Sequence, residues 1–110
     1  MKPLLPTLKE RQRYVVYQVI SAHPLGIDIS EPLLRRISET LGVFGMAQAG
    51  ILSIEYNEKT QYGVLRCNHD QVVRVKTALL MATHIGKTPV IIRVRGVSGM
   101  INKTKRFVGR

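Results

Sequence analysis

Residues 51–67, ILSIEYNEKTQYGVLRC, decide the fold. Ile51–Tyr56 alternates as a strand, Asn57–Thr60 supplies turn formers, and Gln61–Cys67 returns as a second strand, so the stretch reads as a β-hairpin. Helical spacing flanks it on both sides. Upstream, Leu34, Ile37 and Leu41, with Leu33 beside them, form an apolar stripe. Ser30 is placed to cap that helix, Glu31 and Pro32 suit its first turn, and Gly42 is placed to end it. Val43–Gly50 then reads as a small, apolar loop. Downstream, Asn68 is placed as a cap with Asp70 and Gln71 behind it. Val72, Val75, Leu79 and Ala82 repeat at helical spacing, and Gly86 is placed to end that helix.

A strand lies beyond each helix. Tyr14–Ile20, YVVYQVI, is β-branched and aromatic, and the Pro and Gly of the 21–26 segment mark its end. Val90–Arg95, VIIRVR, alternates, with Val90, Ile92 and Val94 on one face and Arg93 and Arg95 on the other. The order β-α-β-β-α-β is that of an α+β sandwich of the ferredoxin-like or RRM-like kind, a four-stranded antiparallel sheet with both helices on one face. A basic N-terminal arm (1–12), this domain (13–99) and a basic C-terminal tail (100–110) make up the chain. In the tail Ile101, Thr104 and Val108 recur at helical spacing, which fits a short helix. Packing Leu52, Ile54, Leu65, Cys67, Val90, Ile92 and Val94 on the helices leaves Ser53, Glu55, Val64, Arg66, Ile91, Arg93 and Arg95 on the open face. The three arginines are then expected close together. Val64 and Ile91, apolar on an open face, and Phe44 in the apolar loop are candidates for a partner interface.

The charge is concentrated at the ends. Residues 1–13 hold four Lys/Arg and one Glu, residues 14–86 hold six of each sign, and residues 87–110 hold seven Lys/Arg and no acid. A neutral body with basic extremities fits a polyanionic partner. Candidate RNA-binding residues are therefore Lys103, Lys105, Arg106 and Arg110 in the tail, Arg93, Arg95 and Arg66 on the sheet, and Lys9, Arg11 and Arg13 at the N-terminus. At 110 residues and 45% apolar content the chain can bury a core of its own. A single cysteine, Cys67, rules out an internal disulfide and fits a reducing cytosol or nucleus. No apolar run is long enough to span a membrane, and the start carries no secretion-signal pattern.

Catalytic signals are missing. The acids Asp28, Glu31, Glu39, Glu55, Glu58 and Asp70 are scattered, and His23, His69 and His84 lack metal-ligand spacing. His84 reads as a last-turn residue of the second helix. Cys67 has no activating neighbour in the sequence and reads as core. An RNA recognition motif stacks bases on aromatics of its two central strands. Here those strands offer Tyr14, Tyr17 and Tyr62, with Val64, Leu65 and Arg66 where alternating aromatics belong, so phosphate and shape contacts are expected instead. The residues alone leave two other readings open, an RNA-binding module of another ribonucleoprotein such as a ribosome and a regulatory domain that binds a small anion through Arg93 and Arg95.

Four blocks narrow this further: Phe44-Gly-Met-Ala-Gln-Ala49, Gly63-Val-Leu-Arg-Cys-Asn68, Val73-Arg74 with Ala78-Leu79, and Pro89-Val-Ile-Ile-Arg93 through Gly96-Val-Ser-Gly99. In this order and spacing they resemble the protein component 2 family of archaeal and eukaryotic ribonuclease P and the related mitochondrial RNA-processing ribonuclease, over about residues 13–107. The resemblance implies a non-catalytic protein of a ribonucleoprotein whose RNA removes the 5′ leader from precursor tRNA. It also implies that magnesium serves the RNA rather than this chain. The partners it implies are the ribonuclease P RNA and protein component 3, the latter in a heterotetramer of two copies each, in the cytoplasm or, for a eukaryotic counterpart, the nucleus.

Overall fold

The computed structural model describes residues 12–100; the arm and the tail outlined above lie outside them, apart from Gln12 and Met100. Strands β1 (Gln12–Ile20), β2 (Leu52–Asn57), β3 (Tyr62–Asn68) and β6 (Ile91–Ser98) form one antiparallel sheet in the order β2-β3-β1-β6. Helices α1 (Ser30–Ala49) and α2 (Val72–Met81) pack on one side of it. The β-α-β-β-α-β order and the ferredoxin-like architecture are as the sequence indicates. The core lies between the layers. Val15, Tyr17 and Val19 of β1, Leu65 and Cys67 of β3 and Ile92 of β6 meet Leu33 and Ile37 of α1 and Val75, Ala78 and Leu79 of α2. Each strand sends alternate residues inward because its side-chain period is two.

Helix α1 does not stop at Gly42. The backbone there leaves helical geometry (φ 75°, ψ 177°), and a second helical stretch follows directly through Ala49. The segment 43–49, expected as a loop, is therefore helical, and the kink leaves Val43 and Phe44 exposed at 83% and 86%. Gly50, in left-handed conformation, closes the helix with its N–H on the Met46 carbonyl. At the other end Ser30 is not the cap. Ile29 occupies that position, and Asp28 accepts hydrogen bonds from the Ser30 N–H (2.9 Å) and hydroxyl (2.7 Å). These bonds favour the ionised form and hold the Asp28 carboxyl below its ordinary pKa.

Asn68 likewise makes no cap bond to the 3-10 turn His69–Gln71 that precedes α2. Its amide instead donates to the Gln48 carbonyl at 2.7 Å, tying the end of β3 to the end of α1. Arg74 reinforces the tie by donating to the Gln48 side chain at 2.9 Å. Helix α2 ends at Met81, short of the expected Gly86. A two-residue ribbon follows, β4 (His84–Ile85) against β5 (Thr88–Pro89), with Gly86 at φ 62° in its turn. His84 thus sits in a strand rather than in the last turn of a helix.

Gln61 holds the opposite end of the sheet together. It is buried at φ 59°, the one described non-glycine residue with positive φ. Its side chain donates to the Val19 carbonyl (2.8 Å) and accepts from the Leu25 N–H (2.7 Å), while its carbonyl accepts from the Val19 N–H (2.8 Å). One residue thereby fastens the 21–26 loop to both β1 and the hairpin turn.

Candidate nucleic-acid interface

Cross-strand registers fix what the open face displays, since residues directly opposite share a face. Across β2, β3, β1 and β6 the rows read Leu52–Arg66–Tyr14–Ser98, then Glu55–Val64–Val16–Gly96, then Asn57–Tyr62–Gln18–Arg93, with Ile20 beside Ile91 at the far end. Two register shifts shape this layout. Ile54 is skipped between Ser53 and Glu55, and Arg95 is skipped between Val94 and Gly96, so both are bulge residues. The first shift corrects one face assignment. Leu52, expected inside, lies opposite Arg66 on the open face and is 48% exposed, while Ser53 lies opposite the core residue Leu65.

The sequence places Arg66, Arg93 and Arg95 near one another, and the structure separates Arg66 from the other two. Strand β1 runs between β3 and β6, and Arg66 pairs with Tyr14 whereas Arg93 pairs with Gln18. Arg66 and Arg93 therefore stand about 10 Å apart across two strand spacings and about 13 Å apart along them. Arg93 and Arg95 are exposed on the β6 margin. Arg66 is half-buried, and its Nε is enclosed without a hydrogen-bond partner. Arg13 is a residue of strand β1. It pairs with Cys67 and so points to the helix side, its guanidinium donating to the Gln12 carbonyl at 2.9 Å and lying against Gly99. Lys9, Arg11, Lys103, Lys105, Arg106 and Arg110 lie outside the described residues.

Of the three residues expected to meet a partner, Phe44 and Ile91 are exposed, at 86% and 64%. Val64 is on the open face as expected, but at 1% exposure it offers no free surface; its cross-strand neighbour Val16 is equally buried. Register also brings out Tyr14 and Tyr62, which face the open side on the two central strands, with Val16 and Val64 between them. Sequence alone could have paired them by counting in twos from Val16 and Val64. Tyr17 faces the core instead.

The buried titratable groups among the described residues are held in their neutral forms. Burial, with Asp70 adding to it, pushes the Cys67 thiol up to about 11, so the nucleophilic thiolate is disfavoured. Burial also raises Tyr17 above the ordinary phenol range, with Tyr56 and Asp28 contributing, and raises Tyr56 to about 12. Both shifts keep the phenols neutral. Among the described residues no group of three His, Cys, Asp or Glu side chains could hold a metal ion, and no helix is long and apolar enough to cross a membrane.

The molecule therefore presents a sheet face with two arginines on its β6 margin, in a chain whose ends hold most of the net positive charge. Comparison with known proteins gives this arrangement a lineage. Ribonuclease P protein component 2 of Pyrococcus furiosus is 38% identical over 106 residues, covering 96% of this chain and 88% of its own length. The component of the same name from Thermococcus kodakarensis is also 38% identical, with the same coverage. That of Methanocaldococcus jannaschii is 34% identical over 111 residues, covering 99% of this chain and 81% of its own. A chain in the cryo-EM structure of yeast ribonuclease MRP shares the fold, with a TM-score of 0.60 at 13% identity over 84% of this chain and 76% of that one. Residues 13–109 match the model of the Rpp14/Pop5 family, and the chain belongs to that family.

Proposed function

We propose that this chain is a non-catalytic, RNA-binding subunit of ribonuclease P, supporting the catalytic RNA as it removes the 5′ leader from precursor tRNA. The observation that carries this reading is the family match across residues 13–109. The physical role is counter-charge. Phosphates crowded around a folded RNA active site repel one another, and Lys/Arg donors let that fold persist at lower magnesium. The chain positions and neutralises; the bond is cut by the RNA.

Lys103, Lys105, Arg106 and Arg110 lead this counter-charge, with Arg93, Arg95 and Arg66 next and Lys9, Arg11 and Arg13 last. Arg13 ranks low because its guanidinium is engaged with the backbone on the helix side. The protein partner is component 3, in an assembly of two copies of each. Phe44 on the kinked helix and Ile91 on the sheet margin, both exposed apolar residues, are assigned to that contact. Reconstitution tests the reading. With the ribonuclease P RNA and component 3, adding this chain restores precursor tRNA cleavage at magnesium concentrations where the RNA alone is idle; no gain in cleavage at any magnesium level rejects it.

A further inference from the structure

Helix α2 is apolar on two sides, and the fold covers one of them. Val75, Ala78 and Leu79 enter the core. At about 100° per residue, Val73, Thr77, Leu80 and Met81 gather within a second arc of about 100° on the opposite side of the helix. This arc is bare, with Val73, Leu80 and Met81 exposed at 78%, 63% and 59%. An exposed hydrophobic residue standing alone is ordinary. Three on one face of a single helix make a stripe about 12 Å long from Val73 to Met81, and a stripe of that kind marks a contact surface.

The surroundings of the stripe select what can lie on it. Arg74 borders it on one side and Lys76 on the other, and α2 itself contains no Asp or Glu. Beside it runs a groove of about 460 Å³ between the two helices, where Thr40 and Leu41 of α1 face Val73 and Thr77. Gln71 lines the same groove, and its Oε1 is enclosed without a hydrogen-bond partner, which leaves an acceptor for an N–H or O–H brought from outside. Among the described residues Asp70 is the one acid in that lining. An apolar stripe with a groove alongside and cations on both flanks matches a helix whose own apolar face is bordered by acids. RNA is a poor fit, because phosphates need donors and gain nothing from Val73 and Leu80. A second copy of α2 carries the same cations and no acid, so pairing two copies would set like charges side by side.

We propose that the outer face of α2, from Val73 to Met81, is a docking surface for an acid-flanked amphipathic helix of a partner protein. The apolar residues of that helix rest on Val73, Thr77, Leu80 and Met81, and its acids reach Lys76 and Arg74. Arg74 holds Gln48 through one guanidinium nitrogen, Nη1, and has further N–H donors to offer. Met81, unbranched and adaptable, fills whatever gap the incoming side chains leave. The contact is with protein, so it goes beyond the counter-charge role.

The probe is a synthetic helix, so the outcome does not depend on the RNA-binding reading. It is a peptide of about 18 residues, long enough to hold a helix, with leucines at helical spacing and glutamates on both flanks. Its twin carries lysines in place of the glutamates. With full-length protein at physiological salt, the glutamate peptide is expected to bind at least tenfold more tightly than its twin and to shift the methyl resonances of Val73, Leu80 and Met81. Val73→Asp with Leu80→Asp should weaken that binding tenfold or more, and Lys76→Glu severalfold. Binding that survives the double substitution, or that shifts methyl groups elsewhere, would trace to general attraction by a basic chain and overturns the proposal; so does failure of both peptides to bind. Loss of affinity for ribonuclease P RNA in the double variant, with peptide binding intact, would assign the face to RNA instead. The methyl map of the parent protein decides the matter even if the double variant does not fold.

Discussion

Gly63 shows how one missing side chain organises the core. In the row on the helix side, Tyr17 of β1, Gly63 of β3 and Tyr56 of β2 lie directly opposite one another. Because Gly63 has no Cβ, the two rings meet above it, with centroids 6.4 Å apart and planes at 22°. A methyl group at Gly63 would run into the end of the Tyr17 ring. Gly63→Ala is therefore expected to cost about 1–3 kcal/mol by overpacking, read as a lowered urea midpoint. The Tyr17 hydroxyl, by contrast, is buried without a partner. Tyr17→Phe should leave stability unchanged or raise it by up to about 1 kcal/mol, because it removes an unpaired polar atom and almost no volume. Cys67 governs the alkaline limit. Its thiol is raised from 9.0 to about 11 in the fold, so the folded state keeps a proton that the unfolded chain releases. Stability from this group is complete below pH 9 and is lost as pH climbs toward 11; Tyr56, raised from 10.0 to about 12, extends the decline. Urea midpoints measured from pH 8 to pH 10 should fall further for the parent than for Cys67→Ala, which keeps only the smaller decline from the buried tyrosines.

At the scale of elements, the sequence revealed the periods but not their interruptions. The two helical stripes and the hairpin between them were legible because Leu33, Ile37, Val75 and Leu79 keep helical spacing and do enter the core. The helical segment 43–49 was not legible. Its first two residues, Val43 and Phe44, are apolar yet exposed, so the apolar stripe is lost just where the second helical stretch begins. Gly42 was rightly seen as a stop for one helix, but nothing local announces that another begins immediately after it. The bulges at Ile54 and Arg95 are invisible to a count in twos, and each reverses the alternation beyond it; this is why Leu52 was placed on the wrong face. The arginines were misjudged for a different reason. Arg66 and Arg93 sit on strands adjacent in chain order among the four of the sheet, whereas in space β1 lies between them. The kink offers a clean test of backbone strain. A Cβ on Gly42 meets nothing within 4 Å, so the whole cost of Gly42→Ala comes from φ 75° and ψ 177°, a region that is nearly glycine-only. A loss of about 1–3 kcal/mol is expected. Gly86→Ala, equally uncrowded but at φ 62° in a turn, should cost no more than about 1–2 kcal/mol. Thermal unfolding of the two variants side by side would show the order, and equal losses would mean that the α1 backbone relaxes.

Over the whole molecule, charge and fold are divided between different parts of the chain. The described body carries ten Lys/Arg against six acids, while residues 1–11 and 101–110 carry seven Lys/Arg against one acid. Those ends hold six of the ten cations proposed to contact RNA. If six or more phosphates are engaged, RNA affinity should fall on the order of a thousandfold between 50 and 200 mM salt. Replacing Lys103, Lys105 and Arg106 by Ala should then reduce the slope of log affinity against log salt by about 2–3, with thermal stability reporting separately on the fold. An unchanged slope would take the tail out of the interface.

The bulge at Arg95 has a further implication for how this strand can change. Between Val94 and Gly96, β6 holds one residue more than β1 needs, and the pairings on either side are otherwise in step. Excising Arg95 would merge the two ladders into one regular run, with Val94 and Val97 still turned inward. The sheet would lose a cation without losing a rung, so that guanidinium is dispensable to the architecture and is free to be kept or discarded according to what binds there.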